Sequence, residues 1–104
     1  MRIVSIEAEY MKPQLVKGFI TKEDVLTENK DSILKFIEVS IGQFDADQYK
    51  VAEDKYTIDG EKYELLMSES PDFAPGKPKD DYRKEDLYYI IDLIRAERKA
   101  LLGT

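Results

Sequence analysis

Apolar and polar residues alternate from the start of the chain. Val4, Ile6, Ala8 and Tyr10 fall on one side of an extended backbone, and Ser5, Glu7 and Glu9 on the other. A period of two predicts a half-buried strand over residues 2–10. Pro13, within "MKPQ", presets a turn and cannot donate to a ladder, so the chain is expected to reverse there and return as a strand over 14–20. Gly18 in that strand predicts a bulge or a close approach of another group.

Beyond it, "TKED" at 21–24 offers Thr21 as a cap with acids in a first helical turn. Ile33, Leu34, Ile37 and Ile41 recur at helical spacing and predict a helix over 31–41, ending at Gly42. The competing signal is "KFIEVSI", which alternates and is rich in β-branched residues suited to a strand. "KYTIDGEKYELL" then has two alternating runs around Asp59-Gly60, the pattern of a two-residue β-hairpin. That register predicts strands over 49–58 and 61–67, with Tyr56, Ile58, Tyr63 and Leu65 on one face and Lys55, Thr57, Lys62 and Glu64 on the other. A Pro-rich loop over 68–81 follows, in which Phe73 is expected to dock onto the core.

The clearest helix comes last, at 82–102. Leu87, Ile90, Ile91, Ile94 and Leu101 form its apolar stripe. Asp80 and Asp81 stand at the expected cap, and Arg95, Arg98 and Lys99 near the end, with Gly103 beyond. Acids first and bases last complement the helix macrodipole. Together these elements predict one α+β domain over 1–104. A small antiparallel sheet of about four strands is packed on one face by two helices, one of them the long C-terminal helix.

Composition narrows the chemistry. The 104 residues contain no cysteine and no histidine. Thiolate nucleophiles, disulfides and thiolate metal sites are therefore excluded, and so are the usual neutral-pH proton shuttle and the commonest transition-metal ligand. Any metal would be a hard cation on carboxylates. "DADQYKVAEDKY" has acids at the first and third positions of a calcium loop, but Lys50 stands where glycine is needed and Tyr56 where the bidentate glutamate is needed. "PD" at 71–72 with Glu97-Arg98-Lys99 resembles a nuclease signature only superficially, because its second half lies on a predicted helix. With no phosphate-binding loop or nucleophile elbow either, the expectation is a non-enzyme without cofactor or metal. The absence of a long apolar run or a secretory leader predicts a cytoplasmic protein with no membrane contact.

Charge supplies the positive clue. Residues 43–72 hold nine acids against Lys50, Lys55 and Lys62, which accounts for the whole net charge of −6, since the remaining 13 acids and 13 bases balance. Such a field repels a phosphate backbone and attracts a basic partner. The Tyr82, Tyr88, Tyr89 group could stack bases, but acids crowd that helix start, so direct nucleic-acid binding is not expected. Asp45, Asp47, Glu53, Asp54, Asp59, Glu61 and Glu64 are the candidate contact residues for a basic protein, such as one that itself binds nucleic acid. The bland reading of the same acids is solubility. Richness in Lys, Glu, Ile, Tyr and Asp suggests an AT-rich genome, and compositional analogy points to a phage or mobile-element accessory protein. The alternative is an assembly protein acting as a homo-oligomer, suggested by Leu101 and Leu102 beyond the basic cluster of the last helix.

Overall fold

Four strands and two helices make up the computed structural model, which describes residues 1–102; Gly103, expected just past the last helix, lies outside the described residues. The strands are β1 (Arg2–Met11), β2 (Leu15–Asp31), β3 (Phe36–Phe44) and β4 (Lys50–Ile58), followed by α1 (Gly60–Met67) and α2 (Lys84–Leu102). The strands form one antiparallel sheet in the order β1-β2-β3-β4, and the architecture is α+β with a long C-terminal helix. No helix is long and apolar enough to cross a membrane among the described residues.

The β1–β2 hairpin follows the alternation. Ile6 faces Ile20, Ala8 faces Gly18 and Tyr10 faces Val16, with a register shift between Ile3 and Ile6. Gly18 meets the expected close approach: a Cβ there would lie 2.9 Å from the Tyr10 hydroxyl. The turn at Lys12–Gln14 is closed by the Lys12 amide donating to the Gln14 carbonyl at 2.7 Å.

Three assignments change. The return strand does not stop at residue 20 but runs on to Asp31, so "TKED" is extended and Thr21 caps nothing helical. Residues 31–41 are not a helix. Residues 32–35 form a turn and β3 follows, burying Ile37, Val39 and Ile41 by alternation, with Ser40 and Gly42 buried on the other face. A central strand covered on both sides loses its polar alternation, and Ile33 and Leu34 match the helical spacing only by chance. The hairpin at 55–66 is also overturned. Tyr56 and Ile58 are buried with Lys55 and Thr57 exposed, as expected of a strand, but Gly60 opens α1 rather than a turn. Buried Tyr63, Leu66 and Met67 follow 3–4 spacing, while Leu65 is exposed. "EKYELLM" has no β-branched residue and is made mostly of strong helix formers, so backbone preference and packing agree.

Gly60 still has the conformation its position demands, with φ +54°. Gly60→Val is expected to cost about 1–2 kcal/mol from left-handed backbone strain, and Gly60→Asn much less. Equal melting temperatures for wild type and the valine variant would reject this backbone.

Contacts divide the chain into two compact units, Met1–Asn29 with Glu38–Tyr56, and Lys30–Ile37 with residues 57 onward. Ile20, Val39, Ile41 and Tyr56 are buried in the first; Ile37, Ile58, Leu66, Leu87, Ile90 and Ile91 are buried in the second. In the second unit α1 packs against α2, and Lys62 Nζ bonds Glu97 at 2.7 Å. Helix α2 begins at Lys84, two residues later than expected, and Asp80 and Asp81 are not its caps. Asp86 reaches back instead, its Oδ2 accepting from the Arg83 amide at 2.8 Å. Burial opposes the charged form of Asp86, but hydrogen bonds and charge from Arg83 outweigh it and lower its pKa. In the preceding loop Phe73 is half-buried and stacks on Tyr89, with ring centroids 4.2 Å apart. Lys77 is buried there, its Nζ donating to the carbonyls of Pro78 (3.0 Å) and Asp81 (2.6 Å).

Candidate functional site

The seven candidate acids do not share one unit. Asp45, Asp47, Glu53 and Asp54 belong to the first, and Asp59, Glu61 and Glu64 to the second. Within each, their situations differ sharply.

Asp45 is turned inward, 4% exposed, and organises the β3–β4 connection. Its Oδ1 accepts from the amides of Asp47 (2.9 Å) and Tyr49 (3.0 Å). Its Oδ2 accepts from the Tyr10 hydroxyl (2.9 Å) and from Lys12 Nζ (2.6 Å). The hydrogen bond from Lys12 is the main cause that lowers its pKa to about 2, against the opposing effect of burial. Burial and Asp45 raise the pKa of Tyr10, and the bonds to Asp45 and Asp47 raise that of Lys12. Asp47 is exposed and shares Lys12 at 3.0 Å. The Tyr49 hydroxyl donates to the Met11 carbonyl at 2.7 Å, which fastens this loop to the end of β1. The Asp-Ala-Asp segment is thus a loop clasp, and Asp45 spends its charge inside the molecule.

Glu53 accepts from Lys50 at 2.9 Å, which lowers its pKa. Asp54 Oδ1 accepts from the Lys55 amide. In the second unit Asp59, Glu61 and Glu64 are all exposed at the start of α1, and Asp59 makes no side-chain cap bond. Glu64 lies 3.9 Å from Lys35, bringing the β2–β3 turn beside α1.

That turn carries residues assigned above to a helix core. Ile33 is 91% exposed and Leu34 71%. They are nonetheless held firmly, because Asp31 Oδ1 accepts from both their amides at 2.9 Å. Lys35 closes the turn at φ +58°, a conformation uncommon for a lysine. The available sequence signal was Asp31-Ser32, a turn former that binds backbone amides two and three residues on.

Among the described residues no group of three or more acids is arranged to hold a metal ion. Tyr88 is buried, and Tyr89 is engaged by Phe73. Glu97, Arg98 and Lys99 lie on α2. No family model matches the chain, and no curated protein and no solved structure is similar enough to count as a match.

Proposed function

We propose that this chain is a binding module, not an enzyme, that engages a basic protein partner through an acidic surface with an apolar anchor. The observation that carries the reading is the β2–β3 turn, where Ile33 and Leu34 stand in solvent on a backbone fixed by Asp31. Exposing two large aliphatic side chains in a fixed conformation gains nothing for folding but lowers the ordering cost of binding. Glu64 beside Lys35, with Glu61 on the same short helix and Asp59 just before it, supplies negative charge in that unit. Charge of this kind acts mainly on association rate and orientation. The phage or mobile-element setting remains a compositional analogy.

The test is capture of partners from cell extract at low and high salt, with wild type and Ile33→Asp/Leu34→Asp. Both residues are exposed, so the variant is expected to keep its unfolding free energy within about 0.5 kcal/mol of wild type. It should lose the captured partner, and Glu61→Lys/Glu64→Lys should slow association. Undiminished capture by the Asp variant would sink the proposal. Self-assembly is the second reading, favoured by Leu101 and Leu102, which are 80% and 88% exposed on α2. Solution mass at high concentration decides that reading separately.

A further inference from the structure

Strand β1 is an edge of the sheet, and none of its ten residues is buried. An edge strand presents a row of unpaired amides and carbonyls, which proteins ordinarily blunt or cover. The ladder with β2 is regular from Ile6 to Met11, beyond the register shift. On one face of this stretch Glu7 lies opposite Phe19, Glu9 opposite Lys17 and Met11 opposite Leu15. Phe19, Met11 and Leu15 are 53%, 59% and 64% exposed. A hollow of about 300 Å³ opens at Glu7, Ala8, Glu9 and Lys17. At its far end the edge is closed, because the Met11 carbonyl already accepts from Tyr49.

We infer that the Ile6–Met11 edge of β1 accepts an extended segment of a partner as a fifth strand, and that Glu7 and Glu9 select lysine or arginine at alternate positions of that segment. Side chains two residues apart in a strand share a face, so an added strand sets its own alternate residues level with Glu7 and Glu9. Lysine or arginine there meets two carboxylates, of which Glu9 has Lys17 at 3.7 Å across the ladder. The aliphatic stems of those basic residues can lie along Phe19 and Met11. The main chain supplies affinity and the alternate side chains supply selectivity, as in other strand additions.

A second copy of this chain fits the edge less well. Antiparallel pairing of β1 with itself opposes Glu7 and Glu9 to one another near the centre, and like charges directly opposite are destabilising. Registers that slide toward Arg2 or toward Met11 avoid this, but the first run into the register shift between Ile3 and Ile6 and the second into the end where Tyr49 holds the Met11 carbonyl. If the two acids served only as guards against aggregation, no selectivity for basic strands would follow.

This inference does not rest on the Ile33–Leu34 turn, and its test keeps the two apart. The full chain is titrated with a short synthetic peptide alternating Lys with Thr or Val. Controls are a twin with Glu for Lys, and a Lys peptide N-methylated on one edge. Amide hydrogen exchange is followed residue by residue. The expected result is at least about tenfold slowing within Ile6–Met11 with the Lys peptide alone, lost at high salt. Glu7→Lys/Glu9→Lys should weaken binding by about tenfold or more, while Ile33→Asp/Leu34→Asp leaves it unchanged. Equal binding of the twin or of the N-methylated peptide overturns the inference. So does no binding of the Lys peptide, protection at Asp59–Glu64 instead of β1, or a peptide-free dimer already protected along β1.

Discussion

Leu66→Ala should lower stability by about 2–5 kcal/mol, whereas Leu65→Ala should cost less than about 1 kcal/mol. Leu66 is fully buried in α1 and Leu65 is 37% exposed. Truncating the first leaves a cavity lined by neighbours that relax only in part; truncating the second removes a side chain already half in water. In a chain of this size the larger figure lowers the melting temperature by on the order of ten degrees or more. The pair discriminates between the two readings of "YELLM". Were residues 61–67 a hairpin strand, Leu65 would point inward and the order of the two effects would reverse. Denaturant unfolding of both variants, with unchanged slope, makes the measurement.

The second large effect falls on Asp45. Asp45→Asn removes the charge and the Oδ2 acceptor on which Lys12 and Tyr10 converge, setting an NH2 donor against both, while its remaining oxygen can still serve the two loop amides. Because the folded pKa is lowered to about 2, the carboxylate contributes stability that is fully present above its unfolded value of about 3.9. That contribution is lost as pH falls from there through about 2. The raised pKa values of Lys12 and Tyr10 have the opposite sense, so their contribution holds at neutral pH and fades in strong alkali. The gap in melting temperature between wild type and Asp45→Asn should therefore be widest near neutral pH and close as the solution is made acid. A gap that stays constant down to pH about 2 would mean that the charge on Asp45 does not hold the clasp.

What could be read from sequence followed the length of the repeating pattern. The stripe Leu87–Ile90–Ile91 repeats over several turns and identifies α2, just as seven alternating positions from Val4 to Tyr10 identify β1. Helix α1 has eight residues, too few for period two and period 3.6 to diverge, and Asp59-Gly60 serves equally as hairpin turn or helix entry. The β3 segment misled for another reason, since two exposed turn residues, Ile33 and Leu34, fell into step with two buried strand residues, Ile37 and Ile41. The seven acids were recognised as a cluster along the chain. That Asp45 points inward depends on Tyr10 and Lys12, which lie 35 and 33 residues away. No local pattern encodes such a meeting. The exposed Ile33–Leu34 pair was hidden because apolar residues are ordinarily assigned to the interior.

Lys77 gives the Pro-rich loop a chemical property of its own. Its Nζ is buried and donates to two main-chain carbonyls, whereas Lys17 and Lys35 stand 79% and 65% exposed. An acylating reagent or acetylating enzyme needs a clear line of approach to the nitrogen, and the closed loop denies it. Once acylated, the nitrogen would keep one donor and no charge, so the carbonyls of Pro78 and Asp81 could not both be satisfied. Modification at Lys77 would therefore be a lock as well as a mark: it requires the loop to open, and it hinders the loop from closing again.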